Sequence, residues 1–191
     1  MGKSKTIKHK KIYSLNDYNS GDGMLTTVWG PSMWHTLHTI SFNYPVDPTK
    51  NDKKSYRNYI LNLKYVLPCG KCRNNLRDNF KKLPLKMKYM ENRETFSKYV
   101  YELHELINTM LGKQSGLSYD DVRERYEDFR ARCTMSLMEV KPRPKTYKKK
   151  ENGCTEPLYG EKSKCIIKII PNDIKEETFQ IDNKCVRKVL E

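Results

Sequence analysis

The chain's clearest chemical feature is a pair of cysteines, Cys69 and Cys72, in the stretch LPCGKCRNNL. Cysteines three positions apart on a helix lie on the same side, one turn apart, so their sulfur atoms can form a reversible disulfide. If Cys69 stands at a helix start, the unpaired backbone N–H groups and the positive end of the helix dipole favour its thiolate. Lys71 and Arg73 add positive charge. The spacing therefore predicts a dithiol redox site.

Zinc sites and inert structural disulfides use the same spacing. A zinc site needs about four ligands, usually with a second closely spaced pair, and the remaining cysteines provide no such pair, so no metal is predicted: Cys133, Cys154, Cys165 and Cys185. A thioredoxin-like site would follow a strand, whereas helical patterns lie on both sides here. Three alternatives stay open from the residues alone: a redox enzyme with a separate electron acceptor, a flavin-free dithiol-exchange protein, and a zinc-stabilised binding module.

Five stretches with helical spacing of apolar residues would position this pair. Prolines at 45, 68 and 84 end the first three stretches, and Gly112 ends the fourth. The predicted helices run from Pro31 to Tyr44, from Tyr56 to Val66, from the cysteine pair to Phe80, from Phe96 to Met110, and from an N-cap at Ser118 to Cys133. The pattern predicts an all-α fold, a four-helix bundle with a fifth short helix.

Composition divides the chain into four parts. Residues 1–21 are polar and basic and predict a disordered arm; residues 22–137 hold the helical domain; residues 138–150 form a basic, proline-containing linker. Residues 151–191 are predicted to form a small β-containing appendage, with strands at KCIIKII, residues 164–170, and ETFQID, residues 177–182.

The net charge of +14 is concentrated outside the helical domain. Most of it lies in the lysines of residues 3–11 and in residues 141–150, which is typical of solvated tails, so no specific nucleic-acid binding is predicted. With no apolar run of about 20 residues and no secretory signal, we expect a cytoplasmic protein, located in the host cytoplasm or the virion if it is viral. Membrane association is expected only if Gly2, in the pattern MGKSKT, is acylated.

Three segments together resemble one family, the Erv/ALR FAD-linked sulfhydryl oxidases. WGPSMWHTLHTISFNYP at 29–45, LPCGKC at 67–72 and HELINTMLGK at 104–113 are similar to that family's three motifs in order and spacing. The resemblance covers about residues 24–135 and is closest to the oxidases of large DNA viruses. It implies a helical bundle that holds FAD between its helices, and a homodimer.

The resemblance also implies roles for individual residues. A substrate protein thiolate would attack Cys69, Cys72 would leave, and the electron pair would pass to FAD and then to oxygen, giving hydrogen peroxide. The implied FAD-binding residues are Gly30, Trp34, His38, His104, Asn108, Leu111, Lys113 and Tyr126, the last against the adenine.

Some positions differ from the family pattern. Glu105 stands where the family has Asn, Leu67 where an aromatic residue is common, and Ser118 where many members have a cysteine that braces the last two helices. The C-terminal cysteines have two open interpretations. Cys154 and Cys165, or Cys185, could relay electrons from substrates to the bundle, or two of the three could hold the small appendage together.

Overall fold

The computed structural model describes residues 13–128, 130, 164–171, 173, 174, 176 and 180–185 of the chain. It confirms an all-α fold with five main helices. They are α1 (Thr26–Phe42), α2 (Lys50–Val66), α3 (Gly70–Lys82), α4 (Arg93–Met110) and α5 (Tyr119–Glu127). Single helical turns at Leu15–Tyr18, Met87–Met90 and Asn183–Cys185 accompany them.

Polar capping residues set where α2, α4 and α5 begin. Thr49, Asn92 and Ser118 each accept a hydrogen bond from the backbone three residues later, and the side chain at that position bonds back to the cap. Ser118 is the N-cap that the sequence predicts. Helices α2 and α4 start several residues before their first predicted apolar position, because capped first turns need no buried residue.

Helix α1 also begins earlier than predicted, at Thr26 rather than Pro31. Pro31 lies inside the helix and has no N–H to donate to the carbonyl of Thr27. Thr27 is exposed, so water can reach that carbonyl. The proline therefore does not force the helix to start at its own position.

One apolar core joins α1, α2, α3 and α4. Its fully buried members include Ile60, Phe96 and Tyr99, and the hydroxyl of buried Tyr44 donates to the carbonyl of Met90 at 3.0 Å. A second, smaller cluster of Phe42, Val122 and Tyr126 fastens α5 to the C-terminal end of α1. This second cluster matters for the site because it brings an aromatic ring of α5 to α1.

The predicted β appendage has no strand in residues 164–170. Ile166, Ile167 and Ile169 are 76%, 67% and 72% exposed, so no described segment covers these side chains as a packed sheet would. Of the second predicted strand, residues 177–179 lie outside the described residues. The turn at Leu15–Tyr18 falls within the predicted arm and is fully exposed. The division into four parts stays a prediction.

None of the helices in the described ranges is both long and apolar enough to cross a membrane.

The buried core predicts a large loss of stability when Phe96 is truncated. Phe96 is 0% exposed and contacts the rings of Tyr44 and Tyr56. Phe96→Ala should lower the free energy of unfolding by about 3–5 kcal/mol, measured by urea denaturation. Lys98→Ala, exposed on the same helix, should change it by less than about 0.5 kcal/mol. Similar losses in the two variants would contradict this packing.

Candidate active site

Cys69 and Cys72 are joined by a disulfide at the beginning of α3, as their spacing predicts. Cys69 is the N-cap of the helix, with extended backbone, and its sulfur accepts a hydrogen bond from the Cys72 N–H at 3.2 Å. The two Cα atoms are 5.2 Å apart, and both residues are half-buried. The positive end of the helix dipole thus lies at the sulfur atoms, where it stabilises a thiolate.

The disulfide packs against the start of α1. The Met24 N–H donates to the Pro68 carbonyl at 2.7 Å. Gly23 permits this approach, since a Cβ there would lie 2.9 Å from the same oxygen. Two residues after Met24, at the start of α1, the Thr26 hydroxyl lies 3.5 Å from Sγ of Cys72. A disulfide sulfur carries no hydrogen, so the hydroxyl is the donor.

A line of residues four positions apart runs along α1 from this contact. Thr26, Gly30, Trp34, His38 and Phe42 are spaced four residues apart along α1. Each is a neighbour of the next on the helix surface, but every step of four residues turns by about 40°, so the line winds around the helix. The predicted residues Gly30, Trp34 and His38 are therefore linked, neighbour to neighbour, to the residue that contacts Cys72. This line connects the disulfide to a cluster of flat rings.

The cluster combines side chains from three helices. Trp34 stacks on His104 of α4, with ring centroids 3.9 Å apart and planes 8° from parallel. His38 Nε2 and His104 Nδ1 share a hydrogen bond of 3.0 Å. Tyr126 of α5 lies 5.4 Å from the His38 ring and 5.2 Å from the Phe42 ring. Four predicted site residues, Trp34, His38, His104 and Tyr126, are thus brought together.

Burial keeps both histidines of this cluster neutral. Desolvation, with smaller contributions from His104 and His35, lowers the pKa of His38 to about 3. Desolvation also lowers the pKa of His104 to about 4, although the nearby Glu105 carboxylate acts in the opposite direction. In the bond between two neutral imidazoles, one nitrogen donates and the other accepts. The other nitrogen of His38, Nδ1, is buried and has no hydrogen-bond partner in the part of the chain that the structure describes.

Asn108, Leu111 and Lys113 lie at the C-terminal end of α4, beyond His104. The Asn108 side-chain amide donates to the Glu105 carboxylate at 3.0 Å, and the backbone carbonyl of Asn108 accepts from the Lys113 N–H at 2.8 Å. Leu111 and Lys113 are exposed. Gly112 makes the turn between them with φ of 67°, a conformation that glycine adopts without strain. Glu105, which replaces the family's Asn, thus holds the predicted Asn108 in place.

Sequence reasoning missed three contributors: Thr26, His35 and Phe42. The Nδ1 of His35 lies 3.2 Å from the Tyr126 hydroxyl and ties α5 to α1. Thr26 and Phe42 could have been found by extending the four-residue spacing of Gly30, Trp34 and His38 one step in each direction. His35 faces its partner only after α5 folds back, and the local pattern does not show this.

The other cysteines contribute no second pair to the described site. Cys165 is an exposed free thiol and Cys185 is a partly buried one. Cys133 and Cys154 lie outside the described residues. Among the residues that the structure describes, no three His, Cys, Asp or Glu side chains are grouped to hold a metal ion.

Known proteins are similar to this chain in sequence and in fold. The model of the Erv1/Alr family matches residues 31–127. The "Probable FAD-linked sulfhydryl oxidase" of Acanthamoeba polyphaga mimivirus is 36% identical over 99 residues, 52% of this chain and 68% of the relative. The FAD-linked sulfhydryl oxidase of an African swine fever virus isolate is 30% identical over 52% of this chain and 80% of its own.

Solved structures resemble the fold. The crystal structure of the yeast Erv1 core superposes with a TM-score of 0.50 at 19% identity, over 66% of this chain and 96% of that one. The FAD-binding domain of Erv1 from Saccharomyces cerevisiae gives 0.50 at 23% identity, over 55% and 96%. With a cysteine pair at a helix start, a motif-matched ring cluster and a family match over half its length, the chain belongs to the Erv1/Alr family.

Proposed function

We propose that this chain is an FAD-dependent thiol oxidase that forms disulfides in substrate proteins. One observation carries the proposal: the Cys69–Cys72 disulfide contacts Thr26, which begins the line of α1 residues that leads to the ring cluster. A family member with a dithiol site of this kind needs an electron acceptor beside it. Relatives of this chain are named FAD-linked sulfhydryl oxidases, which supports FAD as that acceptor.

The residues of the cluster fit a flat, polar cofactor. Trp34, His104 and Tyr126 offer aromatic faces, and buried Nδ1 of His38 has hydrogen-bonding capacity that no group of the described residues uses. Exposed Lys113 offers a cation for a phosphate group. The residues that would hold FAD are Gly30, Trp34, His38, His104, Asn108, Leu111, Lys113 and Tyr126. When bound, FAD takes up an electron pair and passes it to oxygen, giving hydrogen peroxide.

The protein's own groups favour the first chemical step. A substrate thiolate attacks Cys69, the new mixed disulfide replaces the bond to Cys72, and Cys72 leaves as a thiolate. The Thr26 hydroxyl, already donating to this sulfur, stabilises the negative charge, as does the N-terminus of α3. A second substrate thiol then resolves the mixed disulfide and releases oxidised substrate and the Cys69 thiol.

We further propose that the physiological substrates are protein thiols, that the enzyme acts as a homodimer and that it works in the cytoplasm. Family membership supports the first two points. The third carries forward the sequence-based expectation of a cytoplasmic protein.

Removing either cysteine of the pair should abolish oxidase activity. Cys69→Ser or Cys72→Ser should reduce oxygen uptake with dithiothreitol by more than about a thousandfold, because the disulfide cannot form, while flavin absorbance of the purified protein remains. Cys165→Ser, which changes an exposed free thiol, is the matched control and should retain uptake with this small dithiol. Full turnover in either active-site variant would refute the role of that cysteine.

Truncating the stacked rings should weaken FAD binding. Trp34→Ala and His104→Ala each remove one partner of the stack, and each should weaken FAD binding by about tenfold or more, because aromatic stacking and the buried area are lost. Flavin fluorescence titration of the apoprotein measures this. Tyr59→Ala, a partly exposed aromatic position on α2, should leave the affinity unchanged. Equal affinity in all three variants would place FAD elsewhere.

Acidification should destabilise the protein through the buried histidine pair. In the unfolded chain each imidazole binds a proton near its ordinary pKa of about 6.5, whereas in the folded protein the pKa values of His38 and His104 are about 3 and 4. Between these values the unfolded state binds more protons, so stability falls as pH falls, by about 2 kcal/mol per histidine at pH 5. Urea unfolding at pH 7.5, 6 and 5 measures this loss. The loss should be smaller in His104→Gln; an identical pH dependence would contradict the neutral pair.

A further inference from the structure

The disulfide is surrounded by an unusual concentration of positive charge. From Lys53 to Arg77 the chain contains no Asp or Glu but seven lysines and arginines. By contrast, residues 94–127, which include most of α4 and all of α5, contain seven acidic residues and four basic ones. The charge of the bundle is therefore segregated, and the two cysteines lie within its positive part.

Two cations lie directly at the cysteine pair. The Arg73 guanidinium donates from one nitrogen to the Leu67 carbonyl, and its other terminal nitrogen lies 3.6 Å from where a Cβ of Gly70 would stand. This cation is thus held beside the loop that carries both sulfur atoms. Lys71 lies between the cysteines and is exposed. A molecule that reaches the disulfide meets both charges.

Two further cations and an aromatic ring extend this surface across α2 and α3. The Lys64 ammonium lies 5.0 Å from the ring centre of Tyr65, and the Arg77 guanidinium lies 5.7 Å from it. Tyr65 is 60% exposed and its neighbour Val66 is 69% exposed. We call Lys64, Lys71, Arg73 and Arg77 the basic rim.

Few acidic groups oppose the basic rim. Asp78 pairs with Lys81 at 2.7 Å, one turn or more beyond the cysteines on α3. Asp22 precedes Gly23, which packs against the Pro68–Cys69 backbone, and so lies close to the loop. Within the described part of the chain the four cations of the rim outnumber this carboxylate, so their combined field at the disulfide is positive.

We propose that the basic rim selects substrate segments in which acidic residues flank the reacting cysteine. This inference rests on the proposed oxidase function and names its substrate class. Opposite charge raises the rate of encounter and fixes the orientation of an extended segment, while exposed Tyr65 and Val66 offer apolar contact to its side chains. A nucleic acid would match the charge, but it has no thiol to react with the disulfide that the rim surrounds.

The chemical step balances within this picture. The thiolate of the acidic segment attacks Cys69, an S–S bond forms between them, and the Cys69–Cys72 bond breaks with both bonding electrons on Cys72. The segment's second thiol loses its proton, attacks the segment's own sulfur and releases Cys69. The segment is oxidised by two electrons, and the protein disulfide is reduced to two thiols.

The rate of thiol–disulfide exchange between the protein and two matched peptides tests the proposal. Two dicysteine peptides differ only in their flanks, which carry four Glu or four Lys residues. Reduction of the Cys69–Cys72 disulfide proceeds under anaerobic conditions and is quenched by alkylation of the free thiols. Mass spectrometry then measures the reduced fraction. Because flanking charge alters thiol reactivity, each rate constant is divided by that of the same peptide with a small neutral disulfide. The normalised rate constant of the acidic peptide should be about tenfold higher than that of the basic peptide at low ionic strength. Adding 0.5 M salt should remove most of this difference.

Charge-reversal variants locate the effect. Lys64→Glu combined with Arg77→Glu should lower the acidic-to-basic rate ratio about fivefold or more. Lys86→Glu combined with Lys98→Glu changes the net charge equally at exposed positions outside the rim and should leave the ratio near its original value. Circular dichroism and thermal melting verify that both proteins fold.

A rate ratio near one in the unmodified protein would overturn the proposal, as would equal losses in the two double variants. Undiminished selectivity in Lys64→Glu/Arg77→Glu, together with a changed oligomeric state in gel filtration, would make the rim an interface between copies and also overturn it. The proposal would also be overturned if a single-stranded oligonucleotide bound tightly and left peptide exchange unaffected.

Oxygen uptake with dithiothreitol is measured separately. Its absence refutes the oxidase function, whereas its presence with a rate ratio near one refutes only the substrate preference.

Discussion

The contact between the Pro68–Cys69 loop and the first turn of α1 determines the geometry of the site. A backbone hydrogen bond from Met24 to Pro68 and the close packing of Gly23 hold the two segments together. Because a helix rises about 1.5 Å per residue, fixing Thr26 at Cys72 also fixes His38 about 18 Å along the axis of α1. The disulfide and the ring cluster are thereby the two ends of one rigid element.

Apolar spacing and prolines were sufficient to predict the five helices. The motifs single out Trp34, His38 and His104, which the fold brings together, and their role in FAD binding stays a prediction. The helix starts were harder, because capped polar turns and the exposed first turn of α1 have no apolar periodicity. The Thr26 contact depends on two segments more than 40 residues apart in sequence. The predicted strand at 164–170 followed β-branched composition, which indicates a strand only where a partner exists.

Net charge is a poor guide to this molecule because it is a sum over the whole chain. The sequence predicts a basic tail and a basic linker, and the helical domain, with 19 basic and 13 acidic residues at 22–137, separates its charges between helices. Helices α2 and α3 share a positive surface on which Lys64 and Arg77 meet at Tyr65, while acids accumulate on α4 and α5. Only the packing of α2 against α3 shows that the positive surface adjoins the disulfide.

The surroundings at the two ends of α1 have opposite effects on negative charge. At the surface, the helix dipole, the Thr26 hydroxyl and nearby cations stabilise a thiolate. In the interior, desolvation keeps His38 and His104 neutral, so the described ring cluster offers no imidazolium to compensate a buried anion. Sulfur anions are therefore stabilised at the disulfide, where the substrate arrives, and disfavoured in the ring cluster farther along α1. This division confines thiol exchange to the exposed end of the site while the aromatic end stays uncharged.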